Sequence, residues 1–279
     1  MPELPEVETI ARALREGGRG GPTITGRTIA RVRLLWPRTL ATPDLDSFQQ
    51  RTAGQTITHV GRRGKFLVLY LTDGLLFIHL RMSGDIRVEA AASPAREEVP
   101  LQPHDRLVID FTDGYRMAFN DARKFGRVWL VSDPADVTGK LGPEPLEDAF
   151  TAESLYRKLQ SVNRQIKPLL LDQAFIAGLG NIYTDEALHM AGIHPLRSSR
   201  AITEEEAARL WQAIRAVLAE GIRTNGASFD WVYRGGGFQN NFSVYQRTGE
   251  PCPRCGTPVV RTAVGQRGTH YCPNCQPDH

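Results

Sequence analysis

The sequence opens with MPELPEVE, residues 1–8, and this stretch combines reactive groups with the start of a helix. We expect removal of the first methionine, which gives Pro2 a free secondary amine. An α-amino group has a pKa near 8, against about 10.4 for a lysine, so more of it is neutral and nucleophilic at pH 7. Glu3 stands beside this amine and can carry protons, with Glu6 as a helper. An ordinary N-terminal helix with an incidental proline is the alternative that this stretch leaves open.

The residues that follow predict a helix that anchors this start. Pro5 suits the first position of a helix, and Gly17 with Gly18 ends the run. Apolar residues recur at helical spacing on one face: Val7, Ile10, Ala11 and Leu14. A buried face of this kind would hold the start of the chain in place, which is otherwise prone to fraying.

The next part of the chain, up to about residue 135, reads as short strands joined by tight turns. Asp73-Gly74 and Asp113-Gly114 are typical of hairpins. Strand patterns cover Thr28–Leu34, Lys65–Leu71, Leu75–Leu80, Leu107–Phe111, Tyr115–Phe119 and Val128–Val131. With only one early helix, this pattern predicts a β-sandwich or barrel. The polar, proline-bearing insert 90–103 is predicted to be a mobile surface loop.

Helical patterns dominate the second half, after a segment rich in proline and glycine that begins at Leu141. We expect helices at Ala152–Gln160 behind Thr151, at Pro168–Gln173, at Asn181–Ala191 with Asn181 as its cap, and after the capping box of Thr203 and Glu206. Residues 178–195 read as helix, glycine turn, helix. Their Gly-x-Gly-Asn run suits a backbone that approaches a phosphate, whereas a generic helix hairpin needs no such run.

Four cysteines near the end form a metal-ligand pattern. Cys252-x-x-Cys255 and Cys272-x-x-Cys275 are separated by sixteen residues, which is the spacing of a tetrahedral zinc site. Two disulfides are the alternative, and they need an oxidising compartment. The intervening residues predict a small hairpin that depends on the metal for stability, with Arg267 at its tip. We therefore expect one structural Zn²⁺.

The charge distribution suits a polyanionic partner. The net charge is only +3, but residues 27–65 hold eight Arg and Lys against two acidic residues. A solvated strand face that happens to carry arginines is the alternative on charge alone. There is neither an apolar run of about 18 residues nor a charged-then-apolar leader, so we expect a cytoplasmic protein without membrane spans.

Taken together, these segments resemble the formamidopyrimidine-DNA glycosylase (Fpg) family, bacterial repair enzymes that excise oxidised purines and then cut the strand. The matches are the MPELPEVET opening, the basic strand ends, the Gly-x-Gly-Asn run and the four cysteines. The resemblance implies an α+β multidomain fold. Its parts are a catalytic β-sandwich domain with a leading helix (1–140), a linker (141–149), a helical helix-two-turn-helix domain with a lesion loop (150–242) and a zinc-finger β-hairpin (243–279).

The resemblance also implies roles for single residues. Four match family residues that bind DNA phosphates, where a lysine or a charged imidazole neutralises the backbone: Lys65, His79, Asn181 and Arg267. Three match residues that enter the duplex, fill the gap left by an extruded base and read the opposite base: Met82, Arg123 and Phe125.

Some positions depart from the family pattern. Ala122 and Lys124 replace the Pro and the second Arg of Asp-Pro-Arg-Arg-Phe-Gly, and Gln246 replaces the glycine of Tyr-Gly-Arg. Residues 225–242 resemble the family only weakly and are expected to be mobile, so lesion-reading residues cannot be carried over there.

The function implied is that of a bifunctional DNA glycosylase and abasic-site lyase of base excision repair. It would act on 8-oxoguanine and formamidopyrimidines through a Pro2 Schiff base and cut the strand by β,δ-elimination. The expected partner is double-stranded DNA with oxidised bases or abasic sites, bound by a monomer associated with the bacterial nucleoid. The alternatives are an endonuclease VIII-like enzyme for oxidised pyrimidines and a non-catalytic zinc protein that binds damaged DNA.

Overall fold

In the computed structural model the chain forms two compact units, and the structure describes residues 1–92, 99–228 and 235–278. The first unit comprises residues 1–140 with 228–235, and the second comprises 141–227 with 236–279. The helical residues and the cysteine hairpin share the second unit. Their division into two separate domains stays a prediction.

The first unit is built on helix α1 (Leu4–Glu16) and two sheets. The strands that follow α1 are β1 (Ile29–Leu34), β2 (Leu40–Thr42), β3 (Ile57–Arg63), β4 (Phe66–Leu71), β5 (Leu75–His79), β6 (Gly84–Ala90), β7 (Asp105–Phe111), β8 (Tyr115–Asp121) and β9 (Arg127–Val131). One sheet has the order β1-β7-β8-β6, and the other has the order β2-β9-β5-β4-β3. A single core cluster joins apolar side chains of both sheets with the buried face of α1. The predicted β-sandwich with a leading helix is confirmed.

Several elements of this unit were not predicted. Strands β2 and β3 and helix α2 (Leu45–Thr52) have a weak apolar pattern, whereas the unpredicted β6 alternates apolar and polar residues. Helix α2 buries only Phe48 and Thr52, and it begins at Asp44, whose side chain accepts from the Ser47 N–H at 3.0 Å. The expectation of one early helix was therefore wrong. A last short helix, α3 (Ala135–Thr138), follows β9.

The predicted mobile loop 90–103 lies partly outside the described residues, which leave out 93–98. The residues beside this gap are held in place. The Val99 N–H donates to the Ala91 carbonyl at 2.8 Å, and the fully buried Arg116 guanidinium donates to Val99 O at 2.8 Å and to Pro100 O at 3.1 Å. The base of the loop is therefore part of the folded unit.

The second unit contains α4 (Ala152–Gln160), α5 (Ile166–Leu171), α6 (Asn181–Ala191), α7 (Glu204–Arg223) and the hairpin β10 (Val260–Val264) with β11 (Arg267–Tyr271). Thr203 caps α7 with the predicted capping box, and Thr151, behind which a helix was predicted, also caps α4 with a capping box. Helix α5 begins two residues before Pro168, which sits in its first turn, where a missing N–H costs nothing. The longest of these, α7, has 20 residues, and no described helix is long and apolar enough to cross a membrane.

The predicted linker is part of the second unit and packs against its other residues. The Gly142 N–H donates to Gln173 O at 2.8 Å, and the Ala177 N–H donates to Pro143 O at 3.0 Å. A Cβ built on Gly142 would approach the Phe175 carbonyl carbon to 2.6 Å, so only glycine fits this contact. Its treatment as a separate linker of residues 141–149 stays a prediction.

Candidate functional site

The start of α1 is buried and ordered. Pro2 and Glu3 lie in the protein interior, whereas Met1 is half exposed. Glu3 is the N-cap of the helix, and its backbone N–H donates to Glu6 Oε2 at 2.7 Å. Because that bond fixes the backbone next to Pro2, Glu6 acts here as a positioning group for the first residues.

Helix α1 is fastened to the sandwich on two sides. Its predicted apolar face is buried in the core. On the other side, Glu8 Oε2 accepts from Arg62 Nε at 3.0 Å, and Arg15 Nη1 donates to the Val60 carbonyl at 3.0 Å. The helix ends at Gly17 with φ +88°, as predicted. The start of the chain, with the predicted nucleophile Pro2, is therefore held as firmly as a core element.

Lys65 and His79 lie close together in the same sheet. Lys65 follows Gly64 in the turn that joins β3 to β4, and His79 ends β5 opposite Phe66. Both side chains are buried. Burial, together with the nearby charges of Arg81 and Lys65, lowers the pKa of His79 to about 3. The imidazole of the unbound protein is therefore neutral at pH 7, whereas the charged imidazole expected from the sequence is one beside a phosphate.

The hydrogen bonding of His79 fixes its tautomer. The Arg81 backbone N–H donates to His79 Nδ1 at 3.0 Å, so Nδ1 must present a lone pair. The proton of the neutral ring then lies on Nε2. His79 can donate one neutral hydrogen bond to a phosphate, and Lys65 supplies the positive charge of this pair.

The buried imidazole predicts a pH dependence of stability. The ordinary pKa of His79 is 6.5 and its folded pKa is about 3, so the unfolded chain binds the extra proton between these values. This contribution is complete above about pH 6.5 and is lost as the pH falls toward 3, at about 1.4 kcal/mol per pH unit. Between about pH 7 and pH 5 the wild-type protein should lose about 2 kcal/mol more unfolding free energy than His79→Gln in urea titrations. Equal losses in both proteins would contradict a buried neutral His79.

The three residues predicted to enter the duplex, called the wedge residues here, lie on two adjoining turns of the sandwich. Met82 is in the turn from β5 to β6, and Arg123 and Phe125 are in the turn from β8 to β9. Met82 is 40% exposed and Phe125 is 51% exposed, which is high for large apolar side chains. The Arg123 guanidinium lies over the Phe125 ring at 5.2 Å from its centroid. The fold thus presents all three side chains to solvent on neighbouring turns.

Asp121 holds these two turns together, although it was not selected from the sequence. This buried carboxylate accepts from the Ser83 hydroxyl, from the Arg123 N–H at 3.2 Å and from the Gly126 N–H at 2.7 Å. Gly126 is required there, because a Cβ would approach Phe119 Cζ to 2.3 Å. The signal was present in Asn120-Asp121, since a carboxylate that opens a glycine turn commonly binds its backbone.

The departure at Lys124 has a physical account. Lys124 adopts φ +62°, and its ammonium lies over the Trp36 ring at 4.1 Å from the centroid. A cation–π contact needs a positive charge and a long stem, which lysine and arginine both supply. Ala122, which stands in place of the family's proline, is exposed.

In the second unit, Asn181 and the β10–β11 hairpin meet at the start of α6. Asn181 is the first residue of this helix, and its N-cap is Gly180, so the expectation that Asn181 is the cap was wrong. Its side-chain Nδ2 donates instead to the Gly268 carbonyl at 2.9 Å. The exposed Arg267 is the neighbour of Gly268. The structure therefore brings Asn181 and Arg267 together at the N-terminal end of a helix, where the helix dipole favours an anion such as a phosphate.

A buried polar network stabilises this arrangement, and its members were also missed. Lys167 and Asp185 form a fully buried ion pair at 2.5 Å, and Lys167 Nζ donates to the same Gly268 carbonyl at 3.0 Å. The His270 N–H donates to Asp185 Oδ2 at 2.9 Å. Charged residues on a helix usually face solvent, so nothing in the sequence pattern indicates that this pair is interior.

The neighbouring Glu186 binds the chain that leads into the hairpin. Its carboxylate accepts from the Ser243 N–H at 2.8 Å, from the Val244 N–H at 3.0 Å and from the Tyr245 N–H at 2.8 Å. Burial raises the pKa of Glu186, while these three N–H donors oppose the rise. The next residue, Gln246, adopts φ +59°, which explains why glycine suits this position in the family.

The four cysteine sulfurs form the predicted metal centre. All lie within 4.8 Å of one another, with Cys252 and Cys275 Sγ 3.9 Å apart and Cys255 and Cys272 Sγ 3.4 Å apart. A tetrahedron with Zn–S bonds of about 2.3 Å has sulfur–sulfur edges of about 3.8 Å. The four thiols are free, so the disulfide alternative is rejected. The donor set and its spacing fit one structural zinc ion.

The segment 225–242 is only partly described, because residues 229–234 lie outside the described ranges. The expectation of mobility for these six residues therefore lies outside the described residues. At the two ends of this gap the chain is held together: the Gly237 N–H donates to Thr224 O at 2.8 Å, and the Phe238 N–H donates to Gly226 O at 3.0 Å. Phe238 stacks on Tyr183 of α6 with ring centroids 4.9 Å apart.

Comparison with known proteins covers the whole length of the chain. Residues 1–128 match the formamidopyrimidine-DNA glycosylase N-terminal domain, 141–231 match the H2TH domain of the same enzymes, and 249–277 match the zinc finger found in FPG and IleRS. The formamidopyrimidine-DNA glycosylase of Enterococcus faecalis is 43% identical, over 99% of this chain and 97% of that one.

Solved structures give the same result. A structure of MutM in complex with DNA that contains carbocyclic 8-oxo-G covers 99% of this chain and 100% of its own, at 36% identity and a TM-score of 0.88. The Lactococcus lactis enzyme, bound non-covalently to DNA with an abasic site, aligns with the same coverage, identity and TM-score. From its first residues to its cysteine hairpin, the chain belongs to the formamidopyrimidine-DNA glycosylase family.

Proposed function

We propose that this chain is a bifunctional glycosylase and abasic-site lyase for oxidised purines in duplex DNA, with Pro2 as nucleophile and Glu3 as proton carrier. The observation that carries the proposal is the buried start of α1, where Pro2 and Glu3 are adjacent and the backbone is fixed by Glu6. A nucleophile and a proton-transfer group in fixed proximity are what glycosidic bond cleavage requires. The family supplies the substrate class.

The chemistry follows from a secondary amine. The Pro2 nitrogen attacks the anomeric carbon of the damaged nucleotide, and the base leaves with the bonding pair as Glu3 supplies or shuttles the proton. The nitrogen loses its proton, the sugar ring oxygen gains one and the ring opens, which gives an iminium ion. That cation acidifies the adjacent sugar C–H, so the 3′ phosphate and then the 5′ phosphate are eliminated. Water finally hydrolyses the iminium ion and restores the amine.

The remaining residues bind and hold the DNA in this proposal. Lys65 and His79 contact phosphates from the first unit, and Asn181 and Arg267 contact them from the second. Met82 and Phe125 fill the gap in the base stack, and Arg123 pairs with the base opposite. The support is their chemistry and exposure: two solvent-facing apolar side chains beside a guanidinium, on turns braced by Asp121.

Excision from a panel of duplexes with single lesions tests this function. With 8-oxoguanine opposite cytosine, excision should be efficient. Opposite adenine it should be poor, because the wrong base leaves the Arg123 guanidinium without its acceptors. Arg123→Ala should lose most of this difference, whereas Lys124→Ala, which removes a neighbouring charge, should keep it. Equal rates opposite both bases, or a clear preference for thymine glycol, would instead support the endonuclease VIII-like alternative.

The phosphate contacts predict a change in salt dependence. Lys65→Ala and Arg267→Ala should each weaken duplex binding and lower the slope of log affinity against log salt by about 0.9, the value for one released counterion. The exposed Arg209, which pairs with Glu205 on α7, provides the matched control, and Arg209→Ala should leave the slope unchanged. Fluorescence anisotropy at several salt concentrations measures all three. Wild-type slopes in both test variants would show that Lys65 and Arg267 do not contact the DNA backbone.

The proposal also covers the setting of the reaction. The substrate is bacterial chromosomal DNA, so we place the enzyme in the cytoplasm at the nucleoid. It is proposed to act as a monomer, because a single chain supplies the nucleophile, the wedge residues and the zinc centre that the reaction needs.

A further inference from the structure

His189 lies beside the zinc centre, although the four cysteines complete the metal's coordination without it. It is in the last turn of α6 and is 2% exposed. Its Nε2 lies 3.3 Å from Cys252 Sγ, within hydrogen-bond distance for a sulfur acceptor. A buried polar side chain that points at a metal ligand acts on the ligand even when it does not touch the metal.

The direction of this hydrogen bond follows from the state of the sulfur. A zinc-bound cysteine is a thiolate, which has no proton and can only accept. Nε2 must therefore be the donor, and a neutral ring must carry its proton there. The bond places part of a positive charge next to the sulfur lone pairs that remain after metal binding.

A third residue, Arg254, fixes the His189 ring relative to the Cys252 sulfur. Arg254 lies between the first two cysteines, and its backbone N–H is 3.4 Å from Cys252 Sγ. Its side-chain Nη1 donates back to the His189 carbonyl at 3.1 Å. The turn between Cys252 and Cys255 is therefore bound to the end of α6 through His189, the same residue whose imidazole lies beside the Cys252 sulfur. Such a two-way contact keeps Nε2 aimed at Cys252.

The second cysteine pair is also attached to this end of the helix. The Cys272 N–H donates to Gln276 Oε1 at 2.9 Å, and Gln276 Nε2 donates to the Ile193 carbonyl at 2.9 Å. Both pairs of ligands thus depend on the position of the C-terminal end of α6. The metal site is built partly from that helix, and not from the hairpin alone.

We propose that His189 is an outer-sphere donor to the zinc-bound Cys252 thiolate, and that it strengthens zinc retention and lowers the reactivity of that sulfur. A hydrogen bond to a thiolate stabilises its negative charge, so the lone pairs are less available to electrophiles and the ligand is harder to protonate and displace. Because His189 is part of α6, this hydrogen bond also couples zinc occupancy to the position of that helix, whose other end carries Asn181.

Competition for zinc tests the role of the hydrogen bond. The zinc-loaded full-length protein is titrated with the chromogenic chelator 4-(2-pyridylazo)resorcinol. His189→Phe, which keeps a ring but has no donor, should bind zinc about 10-fold to 100-fold more weakly. His189→Gln, whose amide can donate from a similar position, should stay within about threefold of wild type. His194→Phe is the control, because this histidine is buried in the same unit and stacks edge-on to Tyr271 without contacting a cysteine sulfur.

Two results would overturn the proposal. One is an unchanged zinc affinity in His189→Phe, and the other is an equal loss in His189→Gln and His189→Phe, which would indicate ring packing alone. If His189→Phe does not fold, the wild-type holoprotein still decides the question. Long-range ¹H–¹⁵N NMR of its histidine rings should show the His189 proton on Nε2, and a ring protonated only at Nδ1 would refute the hydrogen bond.

Discussion

An enzyme that keeps Met1, or that carries an N-terminal tag, should bind lesion DNA almost normally and neither release the base nor cut the strand. Pro2 is then an internal tertiary amide, and its nitrogen lone pair is delocalised into the carbonyl. We expect the excision rate to fall by more than about 1000-fold, a rise of over about 4 kcal/mol in the barrier. The proposed phosphate and wedge residues are untouched, so affinity for a duplex with 8-oxoguanine should change less than about threefold.

Variants of Pro2 and Glu3 separate the chemical step from DNA binding. Pro2→Gly should keep part of the activity because glycine still offers an amine, and Glu3→Gln should bind and stall for lack of a proton carrier. The same tag placed after the C-terminal residue serves as the matched control. Mass spectrometry establishes which proteins retain Met1. Full excision by a protein shown to retain it would rule out Pro2 as the nucleophile.

Loss of zinc through Cys272→Ser should abolish most DNA binding while the β-sandwich stays folded. The apolar cluster of the hairpin consists of four buried residues, two of which are metal ligands: Val244, Cys252, Val259 and Cys272. Such a small cluster does not hold a fold without the metal. The hairpin supplies Gly268 O to Asn181 and Lys167, and the His270 N–H to Asp185. Its loss should therefore disturb the start of α6 and lower affinity at least about tenfold.

Hydrogen exchange resolves this effect by region. In Cys272→Ser, peptides from residues 243–278 should lose protection fully and those from α6 partly, while strands β3, β4 and β5 keep theirs, because the sandwich core lies within its own unit. Wild-type protein stripped by a chelator should behave in the same way and recover when zinc is restored. Normal DNA affinity and activity in a metal-free protein would contradict the predicted dependence on zinc.

The sequence was most informative where local chemistry decides structure. Helix caps at Thr151 and Thr203, the glycine end of α1 and the four-cysteine spacing depend on neighbouring residues, and the structure has them as predicted. Helix α2 was not predicted because its polar residues dilute the periodic pattern and only Phe48 and Thr52 are buried.

The parts of the site that depend on long-range contacts could not be predicted. Asp121 braces a turn through Ser83, which is 38 residues away in the chain. Asn181 looked like a helix cap, but its partner is Gly268, 87 residues away. The neutral state of His79 results from burial beside Lys65 and Arg81, and no motif reveals how deeply a histidine is buried. Such features arise only when the chain is folded.

Borohydride trapping tests the central claim of a Pro2 Schiff base most directly. The processed enzyme is mixed with a duplex that contains one 8-oxoguanine, and the imine is reduced to a stable amine. Proteolysis and mass spectrometry then locate the nucleotide adduct on the peptide. We predict an adduct on the Pro2 nitrogen and no trapping of the protein that retains Met1. An adduct on Lys65, or efficient trapping with Met1 in place, would contradict the account and make the lysine the nucleophile.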